Sequence, residues 1–346
     1  MFLIIVLLIG GYSFLAFSKH TVVKSSSQHA VISKTTLSKS TILPKIISSL
    51  SIIAMRKKSY PGSKITVDQT LANGSNYARY LVTYDSDGLK INALLTVPFG
   101  IKPKNGWPVI LFNHGYIPPA TYSTVTSYNI MIDPLASSGY IVFAPDYRGN
   151  DNSQGVPMQP YISSDYITDS MNAYSSIKEY KDVDPKDIGV FGHSMGGNIT
   201  LHELVITHDF KAAEIMAGVV GDETSLLSWW NHRFVTKSIE GNDLDTYNIV
   251  IQMEKENGTP GSNPNYWNDI DPTKYLTFIT TPIQIQVGSA DNEVPVDFSS
   301  TLYASLQKEG IISNYHVFQG ADHNLSPDTA EAMADTVSFF NTYLKK

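Results

Sequence analysis

The sequence contains no cysteine, which excludes disulfide bonds, a cysteine nucleophile and cysteine-ligated metal sites. Charged residues make up 16% of its 346 residues, which is low for a folded domain, and hydrophobic residues make up 42%. This composition is typical of a folded chain with a large core. No P-loop and no G-x-G-x-x-G motif is present, and we predict no cofactor.

Acidic residues are missing from the first part of the chain, where residues 1–67 hold nine Lys or Arg and no Asp or Glu. The remaining residues hold 16 basic and 32 acidic side chains, so the body of the protein is strongly acidic. Negative charge opposes binding to a phosphate backbone. The sequence therefore predicts no nucleic-acid partner.

Residues 1–18 form an apolar segment without a charged side chain, which is typical of an export signal or a membrane anchor. Residues 19–50 are rich in Ser, Thr and Lys and are predicted to be a tether. We expect an exported protein, either anchored by its N-terminus or secreted after cleavage at Ala16-x-Ser18. One feature opposes this: basic residues follow the apolar segment and none precedes it, so an uncleaved segment would keep the body in the cytoplasm.

Residues 51–346 are predicted to form the main domain, because short apolar runs alternate there with stretches of helix length. This alternation predicts an α/β fold with a mostly parallel sheet covered by helices on both faces. Asp87-Gly88 separates two alternating runs and predicts a β-hairpin. Residues 222–280 contain no clear strand and are predicted to be a small cap-like insertion over one end of the sheet.

The stretch IGVFGHSMGGNIT crowds three glycines around Ser194 directly after an apolar run. Residues 192–196 match the G-x-S-x-G nucleophile elbow, a sharp turn between a strand and a helix that exposes a serine hydroxyl. Gly192 and Gly196 stand where neighbouring backbone leaves no room for a side chain. We predict Ser194 to be a nucleophile and His193 to be a variable position of the elbow.

A serine nucleophile needs a base, and the base needs a carboxylate that orients it. Asp291 and His323 each follow a predicted strand, and the order Ser, Asp, His is the one found with this elbow. Asp222, after the strand before the insertion, is the alternative acid. Asp146 is predicted to hold loop structure through Arg148 instead.

The oxyanion of the reaction needs two backbone N–H donors. We predict them to be those of Met195, directly after the nucleophile, and of Tyr116, in the loop after the run VILFN. His202-Glu203 begins like a zinc motif but lacks a second histidine four residues on, so we predict no metal.

The segments FNHGY, PDYRGND, GHSMGG, GSADNEVP and GADHNL, in this order, resemble the catalytic domain of the prolyl oligopeptidase family within the α/β-hydrolase superfamily. The resemblance covers roughly residues 75–346. It implies an eight-stranded sheet, a triad of Ser194, Asp291 and His323, and hydrolysis of peptides or esters. Prolyl oligopeptidases carry a β-propeller before this domain, and the stretch between the apolar segment and the hairpin is far too short for one.

The leading hypothesis is a serine hydrolase of carboxylic esters whose substrate pocket has aromatic walls, formed by Tyr116, Tyr161, Trp229 and Trp230. The Trp pair could instead pack the insertion onto the sheet. A second hypothesis is a peptidase that acts on short peptides or acyl-amino acids. A third is a non-catalytic binding protein with a hydrolase fold, displayed on the cell surface.

Overall fold

The computed structural model describes residues 49–236 and 241–345. The predicted export segment, residues 1–18, and nearly all of the predicted tether lie outside the described residues. Among the residues that are described, no helix is both long and apolar enough to cross a membrane.

The described residues contain one sheet of nine strands, whereas the family resemblance implied eight. The strands are β1 (Thr66–Thr70), β2 (Tyr77–Ser86), β3 (Leu89–Pro98), β4 (Trp107–Asn113), β5 (Ile141–Pro145), β6 (Val183–His193), β7 (Ala213–Met216), β8 (Ile283–Gly288) and β9 (Ser313–Phe318). The strand beyond the expected number is β1 at the sheet edge, whose five residues TVDQT are all exposed and are held by pairing with β2.

The helices between these strands vary widely in length. They are α1 (Ile52–Lys57), α2 (Asn129–Ser137), α3 (Asp165–Lys178), α4 (Met195–Ile206), α5 (Glu223–Thr236), α6 (Gly241–Asn257), α7 (Pro264–Ile270), α8 (Val296–Lys308) and α9 (Thr329–Leu344). Short 3-10 helices lie at Pro272–Lys274 and Leu276–Phe278. Within residues 222–280, the described part of the predicted insertion is therefore entirely helical or irregular.

The strand order is β1-β2-β3-β5-β4-β6-β7-β8-β9. The five pairs from β5 to β9 are parallel, and the three pairs at the other end are antiparallel. The predicted hairpin is confirmed: Ser86 pairs with Leu89, and Asp87 and Gly88 between them have φ angles of 49° and 81°. Positive φ at both central residues is what a tight hairpin turn with the right-handed strand twist requires.

Two apolar cores lie on opposite faces of the sheet, as the prediction of helices on both faces demands. Successive residues of a strand point to opposite faces, so Val190 of β6 lies in one core and Phe191 in the other. The first core includes residues of α3, α4 and α8, and the second includes residues of α2 and α9. Strands buried on both sides hold the loops at their carboxyl ends in fixed positions.

The predicted link between Asp146 and Arg148 is wrong. Arg148 instead makes two bonds to the buried carboxylate of Asp169 in α3, at 2.7 Å and 2.9 Å. Asp146 accepts a hydrogen bond from Thr124 Oγ1 at 2.5 Å. The arginine has this partner because α3 packs under the loop that follows β5, which is a non-local contact.

Candidate active site

Ser194 lies at a sharp turn between β6, which ends at His193, and α4, which begins at Met195. Its φ of 56° and ψ of −119° are strained for a residue with a side chain, as a nucleophile elbow requires. A Cβ on Gly192 would lie 2.4 Å from the Gly196 carbonyl oxygen. A Cβ on Gly196 would lie 1.9 Å from the Asn113 carbonyl oxygen. Glycine is therefore required at positions 192 and 196, because neighbouring backbone leaves no room for a Cβ.

Asp291 and His323 are brought together at the carboxyl ends of β8 and β9. His323 Nδ1 lies 2.8 Å from Asp291 Oδ2, and the Asp291 side chain is wholly buried. The other carboxylate oxygen accepts the backbone N–H groups of Glu293 and Val294 at 2.8 Å and 2.9 Å. The carboxylate is thus fixed by its own loop and turned toward the imidazole.

Asp222, the alternative acid, has a different set of partners. Its Oδ1 accepts the backbone N–H of Ser225 at 2.9 Å, in the first turn of α5. Its Oδ2 lies 3.6 Å from Lys274 Nζ, and its side chain is 39% exposed. In this structure the imidazole of His323 pairs with Asp291, and Asp222 serves the start of a helix.

A cavity of about 250 Å³ opens beside Ser194 and His323. All four aromatic residues predicted for the pocket line this cavity, and so does Met195. The other lining residues, which sequence analysis did not single out, are Gln159, Val219, Arg233, Glu293 and Val294. Trp230 also packs in the insertion, where its side chain is 3% exposed, so packing and lining of the cavity are not exclusive.

Arg233 and Glu293 form an ion pair on the cavity wall. Arg233 Nη1 lies 3.1 Å from Glu293 Oε2, and the guanidinium lies over the ring of Trp229. Each of these two residues stands close in the sequence to a predicted site residue. Arg233 is one helical turn after Trp229, and Glu293 is two residues after Asp291. Because the two residues are 60 positions apart, the sequence does not indicate that they are in contact.

The loop His114-Gly115-Tyr116 follows β4 and lies against the nucleophile elbow. A Cβ on Gly115 would lie 2.9 Å from Ser194 Cβ, so the loop backbone approaches the serine closely. Tyr116 and Met195, whose N–H groups are the predicted oxyanion donors, line the same cavity as Ser194.

The ring of His114 anchors this loop from beneath. It is stacked between Tyr122 and Tyr147, at centroid distances of 4.3 Å and 4.4 Å. Its Nδ1 lies 2.7 Å from the carbonyl oxygen of Gly115, and its Nε2 lies 3.0 Å from that of Asp146. Burial lowers the pKa of His114 to about 4, so the ring is neutral at physiological pH and donates to one of these carbonyls. Within residues 49–236 and 241–345, no three His, Asp or Glu side chains are grouped as ligands for a metal ion.

The prolyl oligopeptidase family matches residues 126–346, which is more than half of the chain. A Bacillus subtilis protein named uncharacterized peptidase YuxL is 28% identical over 245 residues, covering 69% of this chain and 34% of its own length. The chain spans about a third of the length of this relative and of the acylamino-acid-releasing enzyme of Rattus norvegicus, with which it is 22% identical.

Solved structures share the fold. The Pyrococcus horikoshii acylaminoacyl peptidase matches 79% of this chain and 43% of its own, with a TM-score of 0.62 and 22% identity. Acetyl xylan esterase 1 from Thermoanaerobacterium matches 88% of this chain and 94% of its own, with a TM-score of 0.62 and 16% identity. At these identities the likeness establishes the α/β-hydrolase fold alone. The family match confirms the predicted resemblance. This chain belongs to the prolyl oligopeptidase family.

Proposed function

We propose that this protein is a serine hydrolase that cleaves carboxylic esters through an acyl-enzyme intermediate. One observation carries the proposal: His323 hydrogen-bonds to Asp291 at 2.8 Å and lines the same cavity as Ser194. A carboxylate oxygen can only accept, so Nδ1 of the imidazole carries the proton. The lone pair is then on Nε2, which is the nitrogen that a general base uses in this arrangement.

In the proposed reaction Ser194 Oγ attacks the ester carbonyl carbon, and Nε2 of His323 takes the hydroxyl proton. The negative charge on the former carbonyl oxygen is stabilised by the backbone N–H groups of Met195 and Tyr116. Collapse of the intermediate breaks the bond to the alcohol, which leaves with the proton from His323. Water then attacks the acyl-enzyme with the help of the same base, which releases the acid and restores Ser194.

The cavity walls support apolar or aromatic ester groups as substrates. Tyr116, Tyr161 and the Trp pair provide broad apolar surfaces, and such surfaces bind acyl chains and rings by burial. Arg233 and Glu293 on the wall carry opposite charges and pair with each other. Esters without a charged group therefore suit this cavity.

A peptidase that acts on short peptides or acyl-amino acids is the second candidate. It is favoured by two of the relatives, one named a peptidase and the other an acylamino-acid-releasing enzyme. The Arg233–Glu293 pair would also offer partners to the polar ends of a peptide if a substrate separated the two side chains.

The decisive comparison is of kcat/KM on p-nitrophenyl esters and on aminoacyl or prolyl p-nitroanilides, with the same enzyme preparation. We expect the esters to be hydrolysed faster, and the Ser194→Ala variant to hydrolyse neither. Faster cleavage of the anilides would replace the esterase proposal by the peptidase proposal. Equal hydrolysis by wild type and Ser194→Ala would reject both.

We also propose that the catalytic domain is exported, with the apolar segment of residues 1–18 as signal or anchor. The support is the segment's composition and the Ser/Thr/Lys-rich stretch after it. Protease added to intact cells should degrade the protein if it is anchored outside, or the protein should be found in the medium if it is secreted. A protein that stays in the cells and is protected there would contradict the proposal.

A further inference from the structure

His193, the variable position of the elbow, has a partner on each ring nitrogen. Its Nδ1 lies 3.2 Å from the hydroxyl oxygen of Tyr128, and its Nε2 lies 3.2 Å from the carbonyl oxygen of His323. The rings of His193 and His323 also contact each other, with centroids 4.9 Å apart. The residue next to the predicted nucleophile therefore touches the backbone of the predicted base.

The direction of each hydrogen bond follows from the chemistry of the groups. The His323 carbonyl can only accept, so Nε2 of His193 carries a proton. Burial lowers the pKa of His193 to about 3, so the ring is neutral and Nδ1 has a lone pair. Burial raises the pKa of Tyr128 above its usual value, so its hydroxyl keeps its proton and donates to Nδ1.

The chain of hydrogen bonds continues beyond Tyr128. The backbone N–H of Gly115 donates to the Tyr128 hydroxyl oxygen at 2.9 Å. Gly115 precedes Tyr116, whose N–H is a predicted oxyanion donor. One unbroken chain thus links the oxyanion loop, through Tyr128 and His193, to the loop that carries His323.

Tyr128 is held in place although its backbone is strained. It has a φ of 64° directly before α2, in the left-handed region that residues with side chains rarely adopt. Its ring packs edge-on against Phe112 at 5.6 Å and against His193 at 5.6 Å. These contacts fix the hydroxyl between the two loops.

We propose that Tyr128 and His193 are positioning residues that set the distance between the oxyanion donors and His323, acting on the serine-hydrolase reaction proposed above and resting on it. Neither side chain lines the cavity, so neither touches the substrate. The proposed effect is on the transition state, because the developing oxyanion and the protonated imidazole must be stabilised together. Loss of the chain should therefore lower kcat and leave KM nearly unchanged.

The test is Tyr128→Phe, which removes the hydroxyl and keeps the ring. Tyr140→Phe is the matched control, because the buried Tyr140 donates one hydrogen bond, to Asn341 Oδ1 at 2.8 Å, away from the site. We expect Tyr128→Phe to lower kcat on a p-nitrophenyl ester by about tenfold to a hundredfold, since misplacement by about 1 Å costs up to about 10²-fold. Tyr140→Phe should keep the wild-type kcat. A kcat of Tyr128→Phe equal to that of the control would overturn the proposal.

His193→Phe provides the second variant, which removes both nitrogens and keeps a ring of similar shape. Residues that act through one chain are not additive, so the double variant Tyr128→Phe/His193→Phe should be no slower than the slower single variant. If the fold-losses of kcat in the two single variants multiply in the double variant, the proposal is overturned. This comparison remains valid even if one variant is poorly stable. Full activity of Ser194→Ala would instead reject the proposed serine-hydrolase reaction. Failure of that reaction is thus distinguished from failure of the positioning proposal.

Discussion

The backbone of Gly288 lies against the backbone of Ala321, so that a Cβ at position 288 would be 2.3 Å from the Ala321 carbonyl oxygen. Gly288 ends β8 three residues before Asp291, and Ala321 lies two residues before His323. The absence of a side chain at Gly288 is therefore what allows the acid loop and the base loop to pack together.

Gly288→Ala is predicted to separate these two loops. The methyl group cannot fit without a shift of backbone, so we expect kcat to fall strongly and the melting temperature to fall as well. Gly261→Ala is the control, because its nearest neighbour beyond the adjacent residues is 3.8 Å away and its φ is not in the left-handed range. Wild-type kcat in purified Gly288→Ala would contradict the prediction.

Asp291→Asn is predicted to lower kcat by about 10⁴-fold, as loss of the orienting carboxylate does in a comparable protease triad. An amide NH₂ facing Nδ1 favours the wrong tautomer of His323. Asp222→Asn, at a side chain that is 39% exposed and bonded to α5, should keep most of the activity. Steady-state kinetics of the two variants on one ester decide which carboxylate orients His323. A larger loss of kcat in Asp222→Asn than in Asp291→Asn would make Asp222 the acid.

Glu203 predicts a pH dependence of stability. Its side chain is fully buried, and burial raises its pKa from 4.5 to about 8, although the amide of Asn113 donates to it at 2.7 Å. As the pH rises, Glu203 ionises in the unfolded chain before it ionises in the folded protein. The contribution of Glu203 to the stability of the fold is therefore complete below pH 4.5 and is lost towards pH 8. The shift from 4.5 to about 8 corresponds to roughly 5 kcal/mol of unfolding free energy.

Glu203→Gln should remove this part of the pH dependence. We expect the melting temperature of wild type to fall more between pH 5 and about pH 8 than that of Glu203→Gln. Glu309→Gln, at an exposed helix end, should follow the wild type. Parallel curves for wild type and Glu203→Gln would show that the carboxyl is ionised in the folded protein.

Trp230 separates the cavity from a smaller space inside the insertion. Trp230 and Tyr161 line both, and their rings meet at 5.7 Å. The far side is mainly apolar, with Leu226, Leu227, Val250, Met253 and Trp267.

Trp230→Ala should join the two spaces and raise kcat/KM for p-nitrophenyl decanoate relative to the acetate. Trp107→Ala, at the start of β4, is the control, and an unchanged ratio in Trp230→Ala would contradict this role.

Local patterns in the sequence predicted the parts of the molecule that depend on neighbours in the chain. The hairpin at Asp87-Gly88 and the turn at Ser194 are determined by residues within a few positions, and both have the predicted geometry. Parallel strands end at one edge of the sheet, so the approach of Asp291 to His323 also followed from the pattern.

The features that sequence analysis missed depend on distant partners. Strand β1 has no buried side chain, and only its pairing with β2 defines it. Arg148 meets Asp169 because α3 packs beneath the loop after β5, and Arg233 meets Glu293 because α5 folds over the end of β8. No periodicity or motif in the chain encodes these contacts.

Active-site labelling shows whether Ser194 is an activated nucleophile. A fluorophosphonate probe is added to the folded wild type and to Ser194→Ala, and the modified peptide is identified by mass spectrometry. We expect covalent labelling at Ser194 in the wild type, with loss of hydrolysis, and no labelling of the variant. A folded wild-type protein that does not react with the probe would show that Ser194 is not an activated nucleophile and would favour a non-catalytic binding protein.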